Sequence, residues 1–592
     1  MLSSLGARWA SFALFMQRVW ALTRPYFASD QKWWARGLLA AIVALNLGTV
    51  YMAVLFNDWY RVFYDAIQEK QQAIFWEQMG RFCVLAVIAI VIAVYKFYLT
   101  QVLAVRWRVW MTHHYLERWL KAQTYYKLEL TRFRPTADGT GKTPDNPDQR
   151  IQEDIDGFTG SSIGLTMGLL NAVVTLVSFV GILWGLSGGF SFAVSGQAYN
   201  IPGFMVWMAV LYALAGSVLT HYIGRPQILL NYQQQQLEAD FRHHMVRVRE
   251  YSEPIALSHG EAVEQAQLRL NFSHVFANYM RLIKARKQLI WFTVFYGQAA
   301  VIFPFIVAAP RYFSGAIQLG VLMQISSAFG RVQDALSWFV DNYQSLASWR
   351  ATTDRLTGFE ASFQSLDLAE KGLVATESGA LVVHGLNLAL PNGTQLLNGA
   401  SLQVQPGDSV LLQGPSGSGK STLFRALAGI WPYATGSLER PSDLMFIPQR
   451  PYFPNGPLRE ALAYPEAATR YSDAQLQEAL EQALLPHLKT QLDQTEAWGQ
   501  MLSGGEQQRL AIARVLLKKP KWVLADEATS ALDEAAEKTV YKRLLALVHQ
   551  SGGAIISIAH RPSVAELHSQ HWQISPQAAG GAALYQLSKN VS

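Results

Sequence analysis

Gly414-Pro-Ser-Gly-Ser-Gly-Lys-Ser421 decides how this 592-residue chain is read. It satisfies G-x-x-x-x-G-K-[ST], in which glycines let backbone N–H groups close around phosphate oxygens. Val410-Leu-Leu-Gln413 before it reads as a buried strand, and Leu423-Phe-Arg-Ala-Leu427 after it as a helix. The loop therefore stands at a helix N-terminus, where free N–H groups and the helix dipole favour an anion. Further along come Leu502-Ser-Gly-Gly-Glu506 and, ending the apolar run Lys521-Trp-Val-Leu-Ala525, the pair Asp526-Glu527. Three phosphate-site elements in this order point to an ATP-driven machine.

Gly414, Ser416, Gly417, Gly419, Lys420, Ser421 and Thr422 are the candidate nucleotide contacts of the loop. Lys420 would reach the β- and γ-phosphates, and Ser421 would ligate Mg²⁺. Asp526, at a strand end, is placed to hold the same ion. Gln449, in Phe446-Ile-Pro-Gln449, is a further candidate for the ion or for the attacking water. Glu527 falls beside the γ-phosphate, where a carboxylate can orient or deprotonate water. His560 follows the strand-like Ala554-Ile-Ile-Ser-Ile558 and would donate to the γ-phosphate. Glu527, His560 and Gln449 are thus the candidate catalytic set, with ATP and Mg²⁺ as cofactors. The competing structural reading is a helix-capping Asp-Glu pair and an isolated histidine. Their positions after apolar strands favour the functional one.

Ser503, Gly504 and Gly505 form a second anion-binding turn, heading a helix over Gln507–Leu517. One ATP already has its loop in the same polypeptide. A second turn makes sense if it closes over ATP held by another copy, so two chains are expected to face head to tail.

Half the residues are hydrophobic, 12% aromatic and only 16% charged. That charge content is low for a soluble protein, and long apolar runs confined to the first 340 residues explain it. Six spans are read near 35–57, 81–105, 163–186, 203–224, 287–310 and 315–340, each long enough to cross a hydrocarbon core. Trp33, Trp34, Trp59, Tyr60, Trp107 and Trp110 lie at span ends, where an interfacial aromatic belt belongs. The net charge of +6 does not imply nucleic acid, because of where it lies. Segments 106–160 and 225–287 are rich in Lys and Arg, whereas 187–202 and 311–314 hold only Arg311. This positive-inside alternation places both termini and both long loops in the cytosol, which requires an even number of spans.

Residues 1–34 read as an amphipathic cytosolic segment without a cleavable signal peptide, 35–350 as the membrane domain, 351–379 as a polar linker and 380–592 as the nucleotide-binding domain. Within the last, 467–490 read as an inserted amphipathic helical stretch. The single cysteine, Cys83, excludes an intrachain disulfide and a cysteine-ligated metal site. Gly139-Thr-Gly-Lys-Thr143 mimics half a phosphate loop, but Thr136 occupies the first glycine position and Pro144 follows, so a cytosolic loop is the expectation.

Together these elements resemble an ABC transporter half-molecule, with six spans followed by one ATPase domain. The resemblance implies a type IV exporter-like helical membrane domain, an α/β P-loop ATPase domain and a homodimer with composite ATP sites. It also implies coupling helices within 125–155 and 250–262. Ser530-Ala-Leu-Asp533 resembles the family's D-loop, which lines the dimer seam. Phe424-Arg-Ala-Leu-Ala-Gly-Ile-Trp-Pro432, Pro448-Gln-Arg-Pro-Tyr452, Leu458-Arg-Glu460 and Ala463-Tyr-Pro465 narrow the likeness. So do Asn57-Asp-Trp59, Phe63-Tyr-Asp-Ala66, Asn146-Pro-Asp-Gln-Arg150 and Val246-Arg-Val-Arg-Glu250. They resemble the subfamily of peroxisomal acyl-CoA half-transporters and SbmA/BacA-type peptide-uptake proteins with a fused ATPase. Leu390-Pro391 departs from the family by standing where an adenine-stacking tyrosine is usual, and Ala525 by replacing a larger aliphatic.

Lys96, Arg331 and Asp334 are ionisable groups within spans and mark a candidate cargo cavity. The structural alternative is an Arg331–Asp334 ion pair at i,i+3 with Lys96 snorkelling. The expected role is import of a hydrophilic solute or peptide across a bacterial inner membrane, with export of an acyl-CoA-like or lipid cargo as the alternative. A soluble ABC ATPase is excluded by the spans.

Overall fold

The computed structural model describes residues 2–131, 133, 146–187, 191–194, 197–367, 373, 375–577 and 582–590. They form two compact units, Met1–Glu117 with Asn146–Phe359, and Arg118–Asp145 with Glu360–Ser592. The phosphate-loop mimic at 139–143 lies outside the described residues.

The first unit is built from long helices: α1 (Leu2–Ala28), α2 (Lys32–Gln68), α3 (Gln72–Leu120) and, after the short α5 (Pro147–Gln149), α6 (Ile155–Leu186), whereas the short α4 (Thr124–Thr131) falls in the second unit. A two-stranded hairpin, β1 (Ser191–Val194) and β2 (Gln197–Asn200), leads to α7 (Phe204–Glu250), the short α8 (Ser252–Leu257), α9 (Glu261–Phe313), α10 (Leu319–Asp341) and α11 (Tyr343–Asp367). Short helices thus occur in both expected coupling segments, α4 in the first and α8 in the second. Five helical stretches are long and apolar enough to cross a membrane, containing α2, α3, α6, α7 and α9. The sixth expected crossing coincides with α10, which is not among them. Gln324, Arg331, Gln333 and Asp334 dilute its apolar content.

α10 packs against α2, α6, α7 and α9. One face, with Leu322, Ile325, Ala328, Phe329 and Val332, joins Phe179 and Leu183 of α6, Met205 and Ala209 of α7 and Ala308 of α9 in one buried cluster. Its start is clamped by α2: the Gly320 N–H donates to Asp65 Oδ1 at 2.8 Å and the Leu319 N–H to Gln68 Oε1. These contacts satisfy N–H groups that a helix start leaves without partners.

Two of the six expected belt aromatics are packing residues instead. Trp59 is buried, stacks on Phe63 at 4.5 Å and donates its indole N–H to the Gln78 carbonyl. Trp107 is buried against Tyr26 and Phe158. Each finds an aromatic partner on a neighbouring helix, Phe82 of α3 for Trp59, which outweighs an interfacial position, whereas Trp33 and Trp34 are exposed. Asn146-Pro-Asp-Gln-Arg150 also has a structural use. Pro147 opens α5, and a π-helical turn at Arg150–Asp154 buries Asp154 between two guanidiniums, Arg150 and Arg355. Removing a carboxylate from water is costly, and such partners offset that cost. The polar linker expected from residue 351 is helical as far as Asp367, as the end of α11.

The second unit contains a four-stranded sheet of order β3-β7-β4-β5, with β3 (Ala375–Glu377), β4 (Leu381–Ala389), β5 (Gln395–Val404) and β7 (Ala434–Arg440). Beside it stands a six-stranded sheet of order β14-β13-β6-β12-β11-β8. Its strands are β6 (Ser409–Gln413), β8 (Leu444–Ile447), β11 (Trp522–Asp526), β12 (Ala554–Ile558), β13 (Gln570–Pro576) and β14 (Tyr585–Asn590). All pairings are parallel except β13 with β14. β11 and β12 are buried along their whole length, as strands covered on both faces must be. α12 (Lys420–Leu427) follows β6.

A small β9–β10 pair (Gly456–Pro457, Thr495–Glu496) frames a helical insertion of α13 (Leu458–Ala463), α14 (Asp473–Gln482) and α15 (Trp498–Met501). It leads into α16 (Gly504–Lys518), and α17 (Glu534–Gln550) and α18 (Pro562–Ala565) complete the unit. The stretch 467–490 is not one helix. Ser472 opens α14 with a capping box, and Leu484, at φ 61, ends it before a 3-10 turn at Pro486–Gln491.

Candidate nucleotide site

In a parallel sheet the loops beyond the carboxyl ends of the strands form the binding crevice. Four adjacent strands, β6, β12, β11 and β8, deliver there the 414–421 loop, His560, Asp526-Glu527 and Gln449 respectively. The sheet thus brings together residues separated by more than a hundred positions in sequence.

The glycines are used as backbone. Gly419 caps α12 at φ 88, and a Cβ there would stand 2.7 Å from Leu396 Cδ1. A Cβ on Gly414 would stand 2.8 Å from the Ile574 carbonyl. Lys420 is buried, and its ammonium donates to the Gly414 and Pro415 carbonyls at 2.9 and 3.0 Å, folded across its own loop. Burial lowers its pKa, and the nearby Glu527 and Asp526 carboxylates oppose that shift. Among the described residues the buried Ser418 hydroxyl has no hydrogen-bond partner, leaving a polar atom inside the loop for an incoming ligand.

Asp526 is buried, which raises its carboxyl pKa; a hydrogen bond with Ser421 counteracts the rise. The pair sets a hydroxyl and a carboxylate side by side. Those are the hard oxygen donors that Mg²⁺ takes when phosphate oxygens and water complete its shell. ATP with Mg²⁺ fits this donor set; the ion would supply charge neutralisation at the phosphates.

Glu527 adopts φ 47, unusual for a residue with a side chain and concentrated at functional sites. Its N–H donates to the Ile558 carbonyl at 3.0 Å. Gln449 Nε2 donates to Glu527 Oε2 at 2.7 Å, and His560 Nε2 lies 3.2 Å from Oε1. Two of the candidate catalytic side chains, Gln449 and His560, therefore converge on the carboxylate of the third, Glu527. A carboxylate held this way can accept a proton from water while the amide and imidazole orient it.

Ser503 caps α16, accepting from the Glu506 N–H and donating to Glu506 Oε2 at 2.6 Å. α16 begins at Gly504, three residues before the expected start, because the capping box extends the helix to the glycines. This turn sits in the helical insertion and makes no hydrogen bond with the 414–421 loop among the described residues.

Gln508 and Arg561 were not anticipated. Gln508 contacts Glu527, Ser530 and Ala531, and Arg561 holds the carbonyls of Ser530 and Leu532. At the position where an adenine-stacking tyrosine is usual, Leu390 packs into the core beside Tyr433, whose carbonyl accepts from the Ala389 N–H.

The three span charges are not one cluster. Lys96 donates to Asn46 Oδ1 at 3.1 Å, and Asn46 Nδ2 donates to the Met167 carbonyl, so Lys96 ties α3 to α2 and α6. Arg331 and Asp334 stand exposed on α10, and no ion pair joins them among the described residues.

Residues 22–313 match the family described as ABC transporter transmembrane region 2, and residues 397–530 the family described as ABC transporter. The inner membrane ABC transporter ATP-binding protein YddA of Escherichia coli strain K12 is 33% identical over 94% of this chain and 96% of its own length. ABC transporter D family member 2, chloroplastic, of Arabidopsis thaliana is 33% identical over 94% of this chain and 86% of its own. A solved bacterial Atm1-family ABC exporter with ATP bound shares the fold, with a TM-score of 0.69 at 18% identity, over 91% of this chain and 93% of that one. The chain belongs to the ABC transporter family, as a D-family-like half-molecule whose transmembrane region is fused to an ATPase that couples hydrolysis of ATP to transport.

Proposed function

We propose that two copies of this chain form a homodimer that imports a hydrophilic solute or peptide across a bacterial inner membrane. The observation that carries this reading is the divided surface of α10. One face is apolar and packed, while the other exposes Arg331, Asp334 and Asp341 at helical spacing. Charges are costly in hydrocarbon and are kept where they face water or cargo. In the dimer, α10 is the sixth crossing of each chain, with both termini cytosolic and no nucleic acid involved. The exposed faces then line a hydrated path, a feature shared with the SbmA/BacA-type reading of the sequence. Lys96, the third charge expected of that path, is held by Asn46.

Each ATP is held by the 414–421 loop, Asp526 and Gln449 of one chain and covered by Ser503, Gly504 and Gly505 of the other. Glu527 acts as base toward the attacking water: the water oxygen bonds to the γ-phosphorus, its proton passes to the carboxylate, and the bond from the γ-phosphorus to the bridging oxygen breaks with its electron pair leaving on ADP. Support for a second copy comes from the cytosolic extension of α7–α9. There Leu257, Val263, Phe272 and Phe276 are exposed, more apolar surface than a solitary soluble extension keeps.

The test is genetic. Cells lacking the protein should resist a toxic hydrophilic peptide, and regain sensitivity with the wild-type gene but not with Glu527→Gln. Unchanged peptide sensitivity together with ATPase stimulated by an acyl-CoA would replace this reading with lipid export. Shared sites are tested by mixing Lys420→Ala with Ser503→Arg chains, since only the heterodimer can build one intact site. An assembled heterodimer that never closes on ATP would refute them.

A further inference from the structure

Gln508 lies in the second turn of α16, the helix capped by Ser503, and is buried. Its amide bridges the segment that follows β11. Nε2 donates to the Glu527 carbonyl at 3.3 Å and to Ser530 Oγ at 3.0 Å, and Oε1 accepts from the Ala531 N–H at 2.9 Å. Glu527 sits at φ 47, a conformation that persists in a residue with a side chain only where its surroundings enforce it. That backbone is restrained by the Ile558 carbonyl on one side and, at the Glu527 carbonyl, by the Ser530 N–H at 3.2 Å together with Gln508, which also holds Ser530 and Ala531 in place. Arg561 fixes the far end of the same segment, donating to the Leu532 carbonyl at 2.7 Å and the Ser530 carbonyl at 3.3 Å. An apolar side chain of similar size would fill the space of Gln508 but leave the Ala531 N–H without its acceptor.

We propose that Gln508 is a positioning residue for ATP hydrolysis. It holds Glu527 in its working conformation and fastens it to the helix whose first turn closes on the other nucleotide. The proposal rests on the composite-site reading above. From Ser503 to Gln508 is five residues of one helix, about 7.5 Å of rigid rise. A displacement of the Ser503 turn as it meets one ATP is therefore carried to the 527–531 backbone, and so to the base that acts on the ATP of its own chain. Among the described residues Gln508 makes no hydrogen bond to the 414–421 loop, so its effect falls on turnover rather than on ATP affinity.

The experiment uses the full chain in nanodiscs, with Gln508→Leu and the near-isosteric Gln508→Glu. Glu keeps an acceptor for Ala531 but loses the donor to the Glu527 carbonyl. Both variants should lower kcat by at least about tenfold while KM for ATP stays within about twofold, and should bring the Hill coefficient for ATP toward one. If Gln508→Leu fails to fold, Gln508→Glu decides alone.

Heterodimers with a Lys420→Ala chain then separate the two directions. Gln508→Glu on the chain with the intact loop should slow the remaining site, and on the Lys420→Ala chain should leave it at the rate of the Lys420→Ala/wild-type control. The reverse asymmetry, an unchanged kcat, or a parallel loss of ATP affinity would overturn the proposal. Absence of ATP-dependent closure in the Glu527→Gln homodimer would instead refute the composite-site reading, and the kcat of Gln508→Glu would still decide whether Glu527 depends on this contact.

Discussion

The charged groups of the ATPase unit and those of α10 obey opposite rules. At the nucleotide site every ionisable side chain is engaged by the protein itself: Lys420 by two carbonyls, Asp526 by Ser421, Glu527 by Gln449 and His560. On α10, Arg331 and Asp334 are exposed and share no hydrogen bond or close ion pair among the described residues, although the Arg331 charge acts on Asp334 through space. The difference teaches what each region is built to meet. A site that performs one reaction on one ligand is preorganised, because transition-state stabilisation demands fixed groups. On the proposed transport reading, a surface that passes cargo leaves its charges available to that cargo.

The comparison breaks most visibly at Glu527. Glu527→Gln keeps the hydrogen-bonding shape of the carboxylate but cannot accept the proton, so ATP hydrolysis should fall by about 10²–10⁴-fold with binding intact. Phosphate release from purified protein checks this, and near wild-type turnover would move the base elsewhere. A smaller effect should mark the membrane side. Replacing Arg331 with Gln and Asp334 with Asn together should reduce cargo uptake by roughly tenfold while changing basal ATPase less than about twofold. Equal losses in both would mean that the two charges serve the fold instead.

The smallest effect concerns stability. Burial raises the Asp526 pKa in the folded chain, so the folded state keeps that proton to higher pH than the unfolded state. Stability contributed by this group is therefore lost as pH rises above the ordinary carboxylate range, and at neutral pH the ionised group is a cost. Asp526→Asn should raise the nucleotide-free Tm by about 2 °C at pH 7. The gain should shrink on acidification, and the stabilisation by Mg·ATP should disappear. A lower Tm at pH 7 in the absence of nucleotide would show that Asp526 is structural.

What was legible in the sequence follows the same division. Phosphate binding requires backbone at positive φ, which Gly417 and Gly419 supply, and a strand before a helix, so local sequence carries the whole loop. The convergence of Gln449, Asp526, Glu527 and His560 was readable because each follows an apolar run that ends a parallel strand. Gln508 was not readable: a glutamine inside a helix has no periodic or turn signature, and its partners arrive only through folding. Trp59 and Trp107 misled because an aromatic at a span end looks the same whether it meets headgroups or another ring. α10 sits between these cases. It coincides with the sixth expected span, but its polar residues lower its apolar content below that of the five other helices.

Direction of transport tests the central claim most directly. Proteoliposomes are prepared with the ATPase units outside, so that the lumen stands for the extracytosolic side, and are loaded with a labelled hydrophilic peptide. Adding Mg·ATP outside should deplete luminal peptide in the wild type and leave it unchanged in Glu527→Gln. ATP-driven accumulation of peptide in the lumen, supplied from outside, would contradict the account.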